Sequence, residues 1–390
     1  MTVLLTKTAN TPHRTDLVAD LCAGLERWAE TLNRDWIDDD QDGRFDPDRW
    51  QALCDAGLTA LTVPEDFGGL ELSATELAEV LLCFGRLCPD SGLGFTLASH
   101  FCSTCIPIAK FAGPELQERL LPGLAAGSLI GAHAITEPDS GSDAFAMKTT
   151  AAREGDKYLL KGEKCFISNA PIADFCVVYA RTDPQKGALG GFSALLVNCA
   201  ADEVTIGKPR RKLGLRTAPM ADMHFDEVRI GESDRIGREG QGYSILDYVM
   251  KWEIICIFAL QIGEMQTQLQ RCIEHAKSRQ QFGSSIGSYQ AVSHRIANMH
   301  LRVETSRNWL QRAVEAIGGG GRASLDIAAA KLAISEANVA NSLDAITLFG
   351  GAGYMAETGI EAGLRNAVGG LIYSGTSDIQ RNRIAAMLGL

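Results

Sequence analysis

The sequence predicts an α+β protein in three consecutive segments: a helical domain over residues 1–130, an antiparallel β domain over 131–237 and a second helical domain over 238–390. Three observations carry this. Apolar residues near the start recur three and four apart (Leu17, Leu21, Leu25, Trp28, Leu32), the period of a helix with one buried face, with breaks at Gly57, Pro64, Gly68 and Gly69. From Gly131 the pattern shortens to alternating and β-branched runs, KYLLKGEKCFIS, DFCVVYART, GFSALLVNC and MHFDEVRI, separated by Gly, Asp, Asn and Pro. After Gly242 long helical periods return, interrupted by the Gly318–Gly321 run, which reads as a flexible connection between helices.

Composition narrows the function. Hydrophobic residues at 46% and charged residues at 22% match a globular chain and exclude a disordered or fibrous one. Lys and Arg number 37 against 48 Asp and Glu, and the resulting charge of −11 repels a phosphate backbone, so no nucleic-acid partner is expected. Eleven cysteines, an odd count spread from Cys22 to Cys272, read as reduced thiols in a cytoplasmic setting. The apolar run at the N-terminus is too short for a signal-peptide core, and no stretch reads as the ~20 apolar residues that span a bilayer, so no membrane association is expected.

Several local patterns lack their required context. Asp38, Asp40, Asp42 and Gly43 begin a calcium loop, but its twelfth position is Arg49, where a bidentate Glu is needed. Cys102 and Cys105 form a CxxC with no βαβ unit and no second pair at zinc spacing, so they read as two buried thiols. Gly351, Gly353 and Ala356 spell GxGxxA after a helix instead of a strand. The histidines at 13, 100, 133, 224, 275, 294 and 300 show no ligand spacing, and no metal is expected.

Glu253 is the most informative single residue. The helical stripe Leu246, Val249, Glu253, Cys256, Ile257, Leu260 is apolar everywhere except there, with Trp252 and Ile254 on either side. A carboxylate taken out of water in this way suits a general base, and equally a structural ion pair with a distant cation. The loop ITEPDSGSD, residues 135–143, concentrates backbone and hydroxyl donors that can hold phosphate oxygens, although Ser, Asp and Gly also make ordinary turns.

Taken in order, VPEDFGG (63–69), AITEPDSGSD (134–143), GEKCFISNAPIAD (162–174), KLGLRTAP (212–219), SRQQFG with Gln290, LFGGAGY (348–354) and IYSGTSDIQ (372–380) resemble the acyl-CoA dehydrogenase family over nearly the whole chain. The resemblance implies a helical domain, a middle β-barrel domain and a C-terminal four-helix bundle, assembled as a homotetramer with FAD between domains. It implies that Thr136 contacts the isoalloxazine, that Gly141 and Ser142 lie near the pyrophosphate and the substrate thioester, and that Phe166 and Ser168 border the flavin, where Trp and Thr are commoner. It also implies that Arg279, Gln281, Phe282 and Gln290, with Gly350 and Gly351, reach the adenine half of FAD in a neighbouring subunit, with Thr376 and Asp378 near the same cofactor.

Ser374 departs from the commonest pattern, in which IYEGT supplies the catalytic Glu; a Ser cannot abstract an α-proton unaided. A minority of the family, typified by isovaleryl-CoA dehydrogenase, takes the base from the preceding helix, and that alignment falls on Glu253. The pair Trp252-Glu253, Ser374, NAPIAD, IEHAKSRQQFG, QAVSHRIANM and KLAISE are most similar to the L-prolyl carrier-protein dehydrogenases of pyrrole biosynthesis, although Ile254 stands where that group usually has Arg. The resemblance implies a prolyl thioester on a peptidyl carrier protein as substrate, bordered by Ser142, Trp252 and Ser374, with a short or branched acyl-CoA as the alternative. Lys208, Arg210, Arg211 and Lys212 make a basic run suited to an acidic carrier, or simply a solvated loop.

Overall fold

A computed structural model describes residues 14–317 and 323–390; the Gly318–Gly321 connection and His13 lie outside the described residues. The N-terminal segment folds into α1 (Thr15–Asn33), α2 (Trp36–Asp42), α3 (Pro47–Asp55), α4 (Ala74–Leu87), α5 (Ser91–His100), α6 (Ile106–Phe111) and α7 (Pro114–Ala125). In α1 the fully buried line is Val18, Leu25 and Leu32, flanked by the partly buried Leu17, Leu21 and Trp28. A reciprocal capping box starts α4: Ser73 N–H donates to Glu76 Oε2 at 2.8 Å and Glu76 N–H to Ser73 Oγ at 3.3 Å.

A single π-type turn, Phe101–Cys105, joins α5 to α6. The resulting helix, Ser91–Phe111, corrects one expectation from sequence: with a mean hydropathy of 1.2 it is long and apolar enough to cross a membrane. Its apolar window is 94% buried within the protein, and it serves as a core helix. Cys102 and Cys105 are completely buried on it, and all eleven cysteines are free thiols. The acidic run at residues 38–42 has internal partners. Asp39 binds Arg49 and Arg44, Asp40 binds Arg365, and Arg49, at the twelfth position where a calcium loop needs Glu, bridges Asp39 at 2.6 Å and Asp90 at 2.7 Å.

The middle segment contains β1 (Gly131–Ala134), β2 (Thr150–Glu154), β3 (Lys157–Ser168), β4 (Phe175–Arg181), β5 (Phe192–Asn198), β6 (Val204–Ile206), β7 (Met220–Gly231) and β8 (Arg235–Ile236). Their order is β6-β7-β3-β2-β4-β5-β8, with β1 beside β4. Two expectations are corrected. The sheet is mixed, because β1 runs parallel to β4 and β2 meets β4 in parallel at Thr150 and Arg181. The ladder is also open, ending at β6 and β8, so residues 131–237 do not close into a hydrogen-bonded barrel. The physical reason is connectivity: β1 arrives from the helical domain and is separated from β4 by the β2–β3 hairpin, so the two strands run the same way. His100, on α5, pins the start of β1, accepting the Gly131 N–H at Nδ1 (3.3 Å) and donating from Nε2 to Leu124 O (3.1 Å).

The C-terminal segment is dominated by α8 (Gly242–Ser278), α9 (Gln290–Ile317) and α10 (Ala323–Phe349). A short hairpin, β9 (Gln280–Gln281) and β10 (Ser284–Ser285), follows α8. The single turn α11 (Gly351–Tyr354) precedes α12 (Ile360–Gly369) and α13 (Ser377–Met387), both packed on α10. The GxGxxA residues therefore follow a helix. Helices α4 and α8 approach closely at two glycines. A Cβ at Gly85 would lie 2.2 Å from Leu260 O, and one at Gly263 would lie 2.2 Å from Leu82 O, so neither position has room for a side chain. This contact fixes α8 as the spine between the two helical domains and places its middle against the β sheet.

Candidate active site

The stripe read from the sequence is the buried face of α8: Leu246, Val249, Glu253, Cys256, Ile257 and Leu260 are all buried. Glu253 is 8% exposed. Its partner comes from 121 residues away, in the turn between α12 and α13: Ser374 Oγ donates to Glu253 Oε1 at 2.6 Å. Ser374 holds a left-handed backbone, φ 55°, next to Gly375 at φ 79°. A non-glycine residue there costs about 1 kcal/mol or more and must be held in place. Gln380 Nε2 donates to Ser374 O at 2.8 Å, and Thr376 Oγ1 caps α13 by accepting from Ile379 N–H.

The other carboxylate oxygen, Oε2, faces His133 Nε2 at 3.5 Å. Strand β1 sets this direction: Ala132 and Ala134 enter the sheet core, while His133, paired with Val177, points the opposite way, toward α8. Burial lowers the His133 pKa, and the nearby Glu253 charge pulls it back only in part, so the imidazole is neutral near pH 7. Tyr179, two residues beyond Val177, is buried by the same face, and burial followed by the Glu253 charge raises its hydroxyl pKa. Trp252 packs on Tyr248, whose ring meets Phe111 edge-on at 5.3 Å, closing one side of the helix. Among the described residues the contacts of the Glu253 carboxylate are the Ser374 hydroxyl and the neutral His133, with no Lys or Arg in an ion pair with it.

The ITEPDSGSD loop is anchored from beneath. Glu137 is buried, accepts from the backbone N–H of Lys148 (2.6 Å) and Thr149 (3.0 Å), and pairs with the buried Lys164 at 2.9 Å. The anchored loop leaves Gly141 and Ser142 at the surface, with open space in front of the Gly141 Cα. Thr136 O accepts from Cys165 N–H at 2.9 Å, which brings Thr136 beside Phe166 and Ser168 on β3. Phe166 sits at φ 60°, 55% exposed as a residue, with the Arg210 guanidinium 5.3 Å from its ring centroid. A cavity of about 350 Å³ opens beside it, lined by Pro138, Cys165, Arg210, Asp222 and His224.

The remaining sequence-predicted residues lie elsewhere. Arg279, Gln281, Phe282 and Gln290 are exposed around the β9–β10 hairpin, and Phe282 is 93% exposed at φ 51°. Gly350 and Gly351 sit near the same end of α8, where Phe349 stacks on His275 at 4.2 Å. Arg279 is about 26 residues beyond Glu253, roughly 39 Å along the helix axis. The fold therefore separates these residues from Glu253 and Thr136 within one chain. Asp378 is exposed and pairs with Arg381, and Thr376 is occupied as a cap. In the basic run, Lys212 is turned inward, donating to Leu215 O and Ala218 O, and Arg210 is paired with Asp222; Lys208 and Arg211 are the exposed remainder. His133 and Tyr179 are site residues that sequence reasoning missed. A lone His in the small-residue strand GAHA was the available signal for the first.

The acyl-CoA dehydrogenase N-terminal, middle and C-terminal domain models match residues 23–128, 132–228 and 240–389. The chain belongs to the acyl-CoA dehydrogenase family. Among its relatives, an L-prolyl-[peptidyl-carrier protein] dehydrogenase of Pseudomonas fluorescens is 44% identical, over 89% of this chain and 91% of that protein. Among solved structures, the prolyl acyl carrier protein oxidase AnaB superposes with a TM-score of 0.93 at 35% identity, covering 96% of this chain and 99% of that one. PigA with FAD and proline superposes with a TM-score of 0.92 at 38% identity over the full length of both chains. Within this acyl-CoA dehydrogenase, the Ser374–Glu253 contact joins the turn before α13 to the middle of α8.

Proposed function

We propose that the chain is an FAD-dependent dehydrogenase that oxidises an L-prolyl thioester on a peptidyl carrier protein to the pyrrole-2-carboxyl thioester. The observation that carries the mechanism is Glu253, a buried carboxylate held by Ser374 at 2.6 Å where Ser374 itself has no base to offer. The similarity to prolyl carrier-protein dehydrogenases supports the substrate.

The residues fit FAD. The anchored loop offers Thr136, Ser142 and an unobstructed Gly141; Phe166 and Ser168 border it; and the exposed rings of Phe166 and Phe282, both held at positive φ, present flat apolar faces that a planar ligand or a second subunit would cover. Arg279, Gln281, Phe282, Gln290, Gly350 and Gly351 would hold the adenine half, together with Thr376 and Asp378. The ~39 Å between Arg279 and Glu253 along α8, while Thr376 and Asp378 stay near Ser374, supports a homotetramer in which one subunit's β9–β10 hairpin serves another's site. FAD, when bound, supplies the acceptor for the hydride that leaves the β-carbon.

The chain's own residues do the rest. Glu253 removes the α-proton, which the thioester carbonyl acidifies; Ser374 occupies Oε1, and Oε2, faced at 3.5 Å by His133 Nε2, keeps a lone pair for the proton. The Ser374 hydroxyl stabilises the charged carboxylate and fixes its rotamer. Buried neighbours Cys102, Cys256 and Tyr179 keep water from the base. Reaching the pyrrole takes a further two-electron oxidation, after isomerisation of the ring double bond or in a second flavin cycle, with an external acceptor such as oxygen reoxidising the flavin in between. The exposed Lys208 and Arg211 offer charge to an acidic carrier, and the eleven free thiols suit a reducing cytoplasm.

The reading is tested by anaerobic bleaching of the bound flavin with L-prolyl carrier protein and with isovaleryl-CoA. Bleaching by the prolyl carrier supports it; bleaching by the CoA ester alone replaces it with a branched acyl-CoA dehydrogenase.

A further inference from the structure

The wall of the site opposite Ser374 carries two buried polar groups with no partner, His133 Nδ1 and the Tyr179 hydroxyl. Both project from the face of the sheet that meets α8. An acyl chain made only of carbon and hydrogen offers neither group anything. A wall of this kind is costly for the free protein and fits a substrate with a polar atom beside its α-carbon.

The imidazole's orientation sharpens this. Nε2 faces the Glu253 carboxylate at 3.5 Å, and a lone pair there would oppose a negative charge, so the ring N–H belongs on Nε2. Nδ1, across Cε1 from Nε2, is then a bare acceptor, buried and unpaired, on the ring that faces the base. The burial that keeps His133 neutral preserves that lone pair. The nitrogen of an α-amino acyl thioester is one bond from the carbon whose proton Glu253 removes, and so comes within reach of the same ring.

We infer that His133 is the specificity residue for the substrate's α-nitrogen, accepting its N–H at Nδ1 while Nε2 orients the Glu253 carboxylate. The inference rests on the carrier-bound prolyl reading and adds to it the group that tells an α-amino acyl thioester from a carbocyclic one. The titratable groups around the Glu253–His133 pair include Tyr179 from β4, a second polar wall group, and the buried thiols of Cys102 and Cys256; burial pushes the Cys102 thiol up, so that it stays neutral.

The test compares L-prolyl carrier protein with cyclopentanecarbonyl carrier protein, which has the same ring size and no nitrogen. Anaerobic flavin reduction is followed as a function of carrier concentration for the holoenzyme and for His133→Phe, His133→Ala and His133→Gln. The wild type should prefer the prolyl carrier by roughly 10- to 100-fold in rate over dissociation constant, the range for one satisfied buried acceptor. Phe and Ala should bring that ratio to within about threefold of one, mainly by loss on the prolyl carrier, and Gln, whose amide oxygen can accept, should keep part of it. Phe and Ala are used together so that the ratio is read from whichever retains flavin. Equal losses on both thioesters, leaving the ratio intact, would overturn the inference and make His133 an orienting group only. A wild type inert to both carriers but bleached by isovaleryl-CoA would overturn the substrate reading and this inference with it, an outcome distinct from an intact ratio.

Discussion

Ser374 Oγ lies 2.6 Å from Glu253 Oε1, so a turn before the last helix and the middle of the longest helix deliver their side chains to one point. The hydroxyl gives a hydrogen bond to a charged acceptor, worth about 1.5–3 kcal/mol. Ser374→Ala should therefore lower the rate of α-proton abstraction by roughly 10- to 100-fold with flavin still bound, and lower stability by about 1.5–3 kcal/mol. Stopped-flow flavin reduction checks the first and absorbance and unfolding scans check the others.

Because the two positions meet, the base should be transferable between them. Glu253→Gln combined with Ser374→Glu places a carboxylate at 374 within reach of the same substrate carbon. The double variant should recover a measurable fraction of the activity lost in Glu253→Gln alone. A double variant no more active than the single one would show that the 374 side chain cannot reach the α-proton.

Arg49 is completely buried between Asp39 and Asp90, and Asp90 also accepts from Thr217 Oγ1 at 2.5 Å. Arg49→Met would remove the buried cation shared by the two carboxylates, leaving Asp39 only Arg44 and Asp90 only Thr217 and the first N–H groups of α5, which costs about 3–5 kcal/mol. The expected result is a clear fall in unfolding temperature with the flavin site chemically intact; the Asp39→Asn/Asp90→Asn background should soften the loss. Denaturant or thermal unfolding measures both.

Glu264, packed against Ser91 and Asn338, has its pKa raised to about 7, mainly by burial and further by Asp90, with those two side chains pulling it back. Between pH 4.5 and 7 the unfolded chain gives up this proton while the folded chain keeps it. The group therefore subtracts stability as pH rises through that window, up to about 3 kcal/mol. Glu264→Gln should flatten this fall, gaining on the wild type at pH 8 relative to pH 5. Unfolding midpoints across that range check the sign.

Much of this was readable from residue pattern. The run KYLLKGEKCFIS became β3, whose burial alternates over most of its length, GFSALLVNC became β5 as a short continuous apolar run buried on both faces, and the stripe through Glu253 became the buried face of α8 because a long helix must bury one side. Short strands such as β1, β6 and β8 carry too few residues to show a period, and the parallel pairing of β1 with β4 depends on chain routing that no local pattern records. The same limit hid His133 and Tyr179. Each is ordinary in its own strand and becomes part of the site only because the sheet packs its face on α8. Lys212 was misread for a related reason: its neighbours in sequence are exposed, and only the turn at Leu215–Ala218 draws it inward.

The central claim is that Glu253 takes the α-proton of a carrier-bound thioester. The most direct measurement is anaerobic flavin reduction by L-prolyl carrier protein, protiated or deuterated at the α-carbon, in wild type and in Glu253→Gln. The account predicts a primary isotope effect in the wild type and a loss of about 10²- to 10⁴-fold in the variant, with flavin still bound. A variant that reduces its flavin at the wild-type rate would contradict it and move the base elsewhere.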